Sequence, residues 1–238
     1  VPHWGIDLVS PDKDYSAAQF KEYAEQKIKE IAERGRVPIL VGGTGMWLKA
    51  LVDNLDLAST PSDKGMRAEL EARRLGDLFH EYKELDPVGA ETIDKNNKRR
   101  VMRALEVTKL TGKPFSELRT AGESKYDVLQ LGLSLDREAL YERINDRVDV
   151  MIGLGLVDEV RALKEKYGCG IDAMTGIGYR QVCEFLDGKE SLRFAIIETK
   201  KASRHYAKRQ MTWFRRDERV LWITSGEEVN VAVDNFLK

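Results

Sequence analysis

Three glycines and a threonine, Gly42-Gly43-Thr44-Gly45, form the first segment whose residue types could serve chemistry. They follow the apolar run 37–41. Glycines after a strand of an α/β sheet let backbone N–H groups approach a phosphate or a base closely. Thr44 would add a hydroxyl at the same place. The alternative is an ordinary tight turn in which Thr44 caps the next helix, and the spacing does not separate the two interpretations.

A second segment, Gly176-Ile177-Gly178-Tyr179-Arg180-Gln181, places an aromatic ring beside a guanidinium after flexible glycines. Such a pair could stack on an unpaired base and contact its phosphate. The competing interpretation is a helix start in which Tyr179 packs on the protein body and Arg180 is a solvated charge. For this segment alone we favour the competing interpretation.

The segment 201–216 predicts a helix with a stripe of donor side chains. The donors recur at helical spacing on one face and are Lys201, Arg204, Lys208, Thr212 and Arg215. The opposite stripe, which includes Tyr206 and Trp213, is predicted to pack inward. Because the donors have almost no acidic neighbours before Asp217, nucleic-acid phosphates are a better interpretation than an ordinary amphipathic surface helix.

A further basic segment, Asn97-Lys98-Arg99-Arg100-Val101-Met102-Arg103, opens a helix that continues through 104–107. Residues 97–119 carry seven Lys or Arg against two Asp or Glu, and residues 195–219 carry eight against three. Each segment thus bears a formal charge of +5 in a chain whose net charge is −1. Two such segments, far apart in sequence, favour a clamp around RNA over solvated turns.

Arg147, in the segment Arg143-Ile144-Asn145-Asp146-Arg147, is a separate candidate for binding a phosphate. It lies off the apolar helix face that contains Ile144 and Val148. There it could bind a diphosphate or pair with a nearby aspartate, and the spacing leaves both open. The phosphate-binding pattern G-x-x-x-x-G-K-[ST] does not occur in the 238 residues, so the sequence itself does not support phosphate cradling.

The composition excludes several classes of protein. Hydrophobic residues make up 42% and charged residues 33%, which is typical of a soluble globular protein. No apolar stretch approaches the roughly 20 residues of a membrane span. The two cysteines, Cys169 and Cys183, fit no disulfide framework and suit a reducing compartment, and with the three histidines they show no zinc-ligand spacing. We therefore expect a cytoplasmic protein without a protein-ligated metal.

The elements that must position these residues alternate between helices and short apolar runs. A helix from 16 to 35, a strand at 37–41 buried on both faces of a parallel sheet, and a helix at 46–52 indicate the α/β class. The remaining predicted elements are a strand within 126–135, a helix capped by Asp136, helices at 179–186 and 191–216, a strand at 220–223 and a helix from Glu227. The charged segment 62–119 is predicted to be a helical insertion in an α/β core formed by residues 1–61 and 120–238.

Taken in order, six segments resemble the bacterial tRNA dimethylallyltransferase (tRNA isopentenyltransferase) family. They are DYSAAQF (14–20), GRVPILVGGT (35–44), DPVGA (86–90), RALEV (103–107), GYRQ (178–181) and AKRQMTWF (207–214). The resemblance implies a P-loop-kinase-like α/β core with a parallel sheet and a helical insertion. It also implies transfer of a dimethylallyl group from dimethylallyl diphosphate to the exocyclic amine of the adenine 3′ of the anticodon in tRNA, with the base flipped out of its stack.

The resemblance implies roles for individual residues as well. Thr44 is expected to line the channel that admits the adenine, and Arg147 is expected to contact the diphosphate, so that these two form the catalytic set. Mg²⁺ is the implied cofactor, and tRNA and dimethylallyl diphosphate are the implied partners of a monomer that has no membrane partner. The residues expected to bind tRNA are Arg99, Arg100, Arg103, Gly178, Tyr179, Arg180, Lys208, Arg209, Gln210, Thr212, Trp213 and Arg215.

Family members also carry a Gly-rich P-loop, which binds the diphosphate, and an Asp-Ser-x-Gln segment whose aspartate is taken as the general base. Neither pattern occurs in the 238 residues, which begin with Val1. We therefore expect an N-terminally truncated chain that is inactive alone. The alternatives are an inert tRNA-binding fragment, and a small-molecule kinase relative that lost its phosphate loop. The kinase alternative accounts for the glycine turn but not for Gln210, Thr212 and Trp213 in the basic helix.

Overall fold

The computed structural model of the chain describes residues 1–57, 62–118 and 122–238, which divide into two compact units. The sheet unit comprises Val1–Ser16, Ile39–Gly45 and Asp127–Lys238, and the helical unit comprises Ala17–Pro38 and Met46–Tyr126. The segment predicted to be an insertion belongs to the helical unit. Its predicted boundaries, at residues 61 and 119–120, lie outside the described residues.

The helical unit is built around α4 and α6. Its helices are α1 (Ala17–Ala32), α2 (Gly45–Val52, from Met46 onward), α3 (Lys64–Ala72), α4 (Leu75–Leu85), α5 (Pro87–Thr92), α6 (Lys98–Thr111) and α7 (Phe115–Leu118). Apolar residues at helical spacing on α4 and α6, among them Leu78, Tyr82, Val101 and Leu105, form its buried core. Gly112, whose φ is +67°, ends α6 in the left-handed conformation.

A buried carboxylate fixes the start of α5. Asp86 precedes Pro87, and its side chain accepts hydrogen bonds from the Gly89 N–H (2.8 Å), the Tyr82 hydroxyl (2.9 Å) and the Ser116 hydroxyl (2.7 Å). Burial by itself raises the pKa of Asp86, but the hydrogen bonds from Ser116, Gly89 and Tyr82 outweigh it and hold the pKa below its ordinary value. Asp86 is thus the N-cap of α5 and also joins this helix start to Tyr82 and Ser116.

The sheet unit contains a small parallel sheet. Strands β1 (Gln130–Leu133) and β2 (Val220–Ile223) pair in the register Gln130 to Val220 and Leu133 to Ile223. The connection between the strands is helical: α8 (Arg137–Gly153), α9 (Leu156–Tyr167), a 3₁₀ turn (Asp172–Thr175), α10 (Tyr179–Leu186) and α11 (Leu192–Phe214), and α12 (Gly226–Phe236) follows the sheet. The predicted strand at 220–223 and helix at 179–186 are confirmed, and the strand within 126–135 is shorter than predicted.

The predicted strand at 37–41 is wrong. The structure forms no strand in this described segment, and Ile39 and Val41 are 80% and 88% exposed. A buried parallel strand needs a neighbour on each side for its backbone groups, and the two strands within the described ranges pair only with each other. The α/β class is nevertheless confirmed, in the form of a mostly helical protein with a small parallel sheet. No helix in the described part of the chain is both long enough and apolar enough to cross a bilayer.

Candidate nucleic-acid interface

Residues of α10 and α11 line a surface cavity of about 400 Å³ in the sheet unit. It contains Arg180 and Arg209, which belong to two different segments of the predicted tRNA-binding set, together with Lys201. These three exposed cations share the cavity with one carboxylate, Glu198, which forms an ion pair with Lys201 at 3.2 Å. An excess of positive charge in a concave site favours an anionic ligand. The lining residues are Thr175, Ile177, Arg180, Gln181, Glu198, Lys201, Ala202, His205 and Arg209.

Gly178 fixes the start of α10, the helix that contributes Arg180 to the cavity lining. Its φ is +95°, which a residue with a side chain rarely adopts, and it is buried. The buried Gln181 side chain accepts a hydrogen bond from the Gly178 N–H at 2.9 Å. This hydrogen bond ties the glycine to the first turn of α10. Arg180 therefore projects from a fixed helix start while remaining exposed.

Tyr179, the neighbour of Arg180, is not among the residues that line the cavity. Its ring packs against the buried cluster that contains Leu156, Val160 and Met174. Its hydroxyl donates a hydrogen bond to Glu159. That hydrogen bond, with a smaller contribution from burial, raises the pKa of Tyr179 to about 12. The packed tyrosine and solvated arginine are the arrangement that the competing interpretation of this segment predicts.

A disulfide joins Cys169 to Cys183 and closes the segment that supplies Thr175 and Ile177 to the cavity. The expectation that the two cysteines form no disulfide is therefore wrong. The two cysteines are 14 residues apart in sequence, and they meet because the chain reverses between α9 and α10. Nothing in the sequence indicated this reversal. Cys183 is buried in the same cluster as Val160 and Met174, so the cross-link also belongs to the core.

The glycine turn lies against the C-terminal part of α11, within the sheet unit. Gln210 Nε2 donates a hydrogen bond to the Gly43 carbonyl at 3.0 Å. A Cβ atom at Gly43 would lie 1.7 Å from that nitrogen, and one at Gly45 would lie 2.1 Å from Trp213 Nε1. The two glycines thus permit an approach that any side chain would obstruct. Thr44 between them is exposed and makes no hydrogen bond within the described residues.

The remaining candidates on α11 are exposed. Lys208 has no side-chain partner in the described ranges, and its backbone carbonyl accepts a hydrogen bond from the Thr212 hydroxyl at 2.9 Å. The Arg209 guanidinium lies 5.7 Å from the centre of the Tyr206 ring, and that of Arg215 lies 6.0 Å from Trp222. The predicted inward packing is wrong for Tyr206 and Trp213, which are each 38% exposed. The side chains of α11 that are buried are Ala195 and Thr199.

Arg147 lies on α8, exposed and without an ion-pair partner among the described residues. Two polar contacts join α8 to α11: Asn145 accepts a hydrogen bond from Arg204 at 2.6 Å, and Asp149 pairs with Lys200 at 2.6 Å. Arg147 is about 200° around the helix from each of them. The structure therefore leaves Arg147 free to bind an anion but does not bring it to the cavity.

The basic segment of α6 belongs to the helical unit. Arg99 and Arg100 are exposed and have no side-chain partners in the part of the chain that the structure describes. Arg103 instead forms an ion pair at 2.6 Å with Glu106, a fully buried carboxylate that also accepts hydrogen bonds from Arg67 and from the Asp63 N–H, both at 2.8 Å. Burial raises the pKa of Glu106, but the Asp63 N–H, Arg103 and Arg67 together lower it below its ordinary value.

Comparison with known proteins places this arrangement in a family. The sequence pattern that defines the IPP transferases matches residues 1–217. The chain belongs to the IPP transferase family. Curated relatives named tRNA dimethylallyltransferase include those of Carboxydothermus hydrogenoformans, 43% identical over all of this chain and 82% of the relative, and Acetivibrio thermocellus, 43% identical over 95% of this chain and 75% of the relative. These names identify the family as one of prenyltransferase enzymes.

Solved structures of the IPP transferase family share the fold. The full-length tRNA isopentenylpyrophosphate transferase from Bacillus halodurans is 38% identical, with a TM-score of 0.70 over all of this chain and 77% of that one. A eukaryotic dimethylallyltransferase acting on tRNA is 28% identical, with a TM-score of 0.78 over 96% of this chain and 63% of that one. Similarity over nearly the whole chain supports the arrangement of elements described above.

Sequence reasoning missed part of the cavity. His205 stands in the basic segment of this IPP transferase but was not singled out, because a single histidine between lysines and arginines carries no pattern of its own. Glu198 was likewise absent from the candidate set. The described residues contain no group of three or more His, Cys, Asp or Glu able to hold a metal ion. The cavity thus offers three cations, one carboxylate, an imidazole, an amide and a hydroxyl for binding a ligand.

Proposed function

We propose that this IPP transferase acts in the transfer of a dimethylallyl group from dimethylallyl diphosphate to the exocyclic amine of the adenine 3′ of the anticodon in tRNA. Its relatives are named for dimethylallyl transfer to tRNA, and a structural relative acts on tRNA. The observation that carries the proposal is the cavity in which Arg180, Lys201 and Arg209 converge from separate segments. Such a site suits the phosphates of an RNA strand.

The proposed reaction is a displacement at carbon. The amine nitrogen attacks the carbon that carries the diphosphate, the carbon–oxygen bond breaks, the diphosphate leaves with the bonding electrons, and the amine loses a proton. An amine within the anticodon stack cannot reach the donor, so the adenine must leave the stack. In this proposal the exposed hydroxyl of Thr44 contacts the adenine, and Arg147 contacts the diphosphate. Positioning and neutralisation of the leaving group then lower the barrier.

The remaining expectations belong to the same proposal. They are a P-loop-kinase-like core, a monomeric state and a cytoplasmic location. Because Mg²⁺ in proteins usually keeps phosphate oxygens and water among its ligands, we propose that the expected ion accompanies the diphosphate of the donor. The twelve residues assigned to tRNA binding remain proposed contacts, and Arg180 and Arg209 have the most direct support because both line the cavity.

A transfer assay tests the proposal. The 238 residues contain neither the G-x-x-x-x-G-K-[ST] pattern nor an Asp-Ser-x-Gln segment. Two forms are therefore compared: the chain alone, and the chain joined to the P-loop and Asp-Ser-x-Gln segments of a family member. Incorporation of labelled dimethylallyl diphosphate into unmodified tRNA is measured with Mg²⁺, alongside tRNA binding. We expect both forms to bind tRNA and the joined form to transfer. Loss of tRNA binding in folded chains would refute the proposal, while binding without transfer in the joined form would support the inert tRNA-binding alternative.

Thr44 variants in the joined form test its assigned role. Thr44→Ala removes the hydroxyl and should reduce the transfer rate far more than the affinity for tRNA. Thr44→Ser retains the hydroxyl and should retain most of the transfer rate. Equal losses of rate and affinity in Thr44→Ala would instead make Thr44 a residue for binding or folding.

A further inference from the structure

His205 is the aromatic side chain among the residues that line the cavity of the sheet unit. It lies on α11 four residues after Lys201 and four residues before Arg209. Residues spaced by four lie on one stripe of a helix, about 6 Å apart along its axis. The exposed imidazole therefore lies between an ammonium and a guanidinium, with Arg180 of α10 lining the same cavity.

The cavity also has room beside this ring. Ala202, three residues before His205 on α11, contributes only a methyl group to the lining. Glu198 forms an ion pair with Lys201, and a carboxylate at that end of the stripe disfavours a phosphate there. The two guanidiniums, Arg180 and Arg209, have no carboxylate partner within the described ranges. These two guanidiniums are accordingly the better partners for a phosphate, which leaves the imidazole for an uncharged, flat group.

Tyr179, which the sequence suggested as a stacking residue, is unsuited to that role in this arrangement. Its ring contacts the buried cluster around Val160 and Met174, and its hydroxyl is bonded to Glu159. To stack on a base, it would have to leave the core and give up this hydrogen bond. His205 is already exposed within the cavity and would lose no packing.

We propose that His205 stacks on an unpaired base of the tRNA anticodon loop, while Arg180 and Arg209 hold the adjoining phosphate. Histidine is one of the side chains on which splayed RNA bases stack, and arginine supplies the matching phosphate contact. The inference rests on the proposed function, since it takes tRNA as the partner, and it assigns to this site the recognition of one nucleotide of the loop.

The first test compares how variants of the 238-residue chain bind an anticodon stem-loop RNA. His205→Ala should raise Kd by about tenfold, within the range measured for loss of one stacked base. His205→Phe retains a ring and should bind within about twofold of the unaltered chain. His80→Ala is the matched control, because His80 is exposed on α4 and its partner is Glu84 on the same helix. An unchanged Kd in His205→Ala, or an equal loss in His205→Phe, would overturn the stacking role.

Salt dependence separates stacking from charge. His205→Ala should leave the slope of log Kd against log salt unchanged, whereas Arg209→Ala should reduce that slope because it removes a phosphate contact. A slope reduced equally in both variants would make His205 a phosphate ligand and contradict the proposal.

A double-mutant cycle identifies the stacked nucleotide. Abasic substitutions are introduced at each loop position in turn, and Kd is measured with the unaltered chain and with His205→Ala. At one position, loss of the base should remove most of the tenfold effect of His205→Ala. If the effect persists at every position, no base contacts His205. Absence of RNA binding by the unaltered chain would instead refute the proposed function, so the two failures are distinguishable.

Discussion

The basic segments 97–119 and 195–219 carry the same formal charge, yet their side chains have different partners. On α6, Arg103 is paired with the buried Glu106, and Lys109 is paired with Glu81 at 2.5 Å. On α11, two cations are paired as well, Lys200 with Asp149 and Lys201 with Glu198. The cations that follow, Lys208, Arg209 and Arg215, have no carboxylate partner among the described residues, and Arg209 lines a cavity.

This difference shows that a count of charges does not identify a binding surface. A cation paired with a buried carboxylate stabilises the fold, because its removal would leave a buried charge without a partner. An unpaired exposed cation, in contrast, is available to a ligand. The acidic partners come from other helices or from one helical turn away. For α6 they reduce the available set mainly to Arg99 and Arg100, and for α11 they leave the C-terminal half free.

The largest predicted effect concerns a covalent constraint that the sheet unit has and the helical unit lacks. Reduction of the Cys169–Cys183 disulfide should lower the free energy of unfolding of the sheet unit by about 3 kcal/mol, because it frees a loop of about 15 residues in the unfolded chain. Urea unfolding with and without a dithiol, combined with hydrogen exchange of peptides from each unit, measures the change. A double cysteine-to-alanine variant, which has no disulfide to reduce, is the control. Equal loss of protection in the helical unit would contradict the prediction.

The next effect separates structural from available cations within the α6 segment. Arg103→Ala should lower the free energy of unfolding by about 2 kcal/mol, because it removes a charged hydrogen-bond partner from the buried Glu106. Arg100→Ala, its matched control on the same helix, should change stability by less than about 0.5 kcal/mol because its side chain is exposed and unpaired. Urea unfolding of the unaltered chain and the two variants measures both changes. Similar losses of stability in both variants would contradict the distinction between structural and available cations.

Features set by neighbouring residues were predictable from the sequence. Asp136 caps α8 as expected, and the strand at 220–223 has its predicted bounds. Capping and apolar alternation act over a few residues, so a short window of sequence contains the information they need. The glycine turn was likewise predictable from its own residues, although its contact with α11 was not.

Features set by distant partners were not predictable. Val41 belongs to an apolar run typical of a strand, but a strand requires neighbours that the run does not specify. Gln210 was assigned to RNA on its motif, and the structure shows that its amide is bonded to Gly43, 167 residues away in sequence. His205 lines a cavity only because residues of α10 complete the lining beside it. In each case the deciding contact is between segments whose separation in sequence gives no indication of their distance.

Reversal of charge on the two basic segments should produce a smaller effect, seen in binding rather than in stability. Lys208→Glu and Arg209→Glu should each weaken tRNA binding by about 1 kcal/mol or more and flatten its salt dependence, because phosphate contacts release counterions. Arg100→Glu measures the contribution of the α6 segment on the same scale. Lys29→Glu, at an exposed position of α1, controls for the change in total charge. An unchanged affinity and slope in both α11 variants would exclude that helix from the interface.

The last prediction concerns the loss of stability in acid. This loss is negligible near neutral pH, and it should differ between the two units. Asp86 and Glu106 in the helical unit are buried, and their hydrogen bonds hold both pKa values below the ordinary 3.8 and 4.5. A lowered pKa in the folded state means that the unfolded chain binds protons first. The stabilisation is therefore complete above the ordinary values and is lost as pH falls from them through the lower folded-state values. The carboxylates with lowered pKa values in the sheet unit, such as Asp187, lie in more exposed pairs, where solvent screens the interaction. Hydrogen exchange from about pH 6 down to about pH 3 should therefore show the helical unit losing protection first. Earlier loss in the sheet unit would mean that burial of these two carboxylates does not set the acid limit.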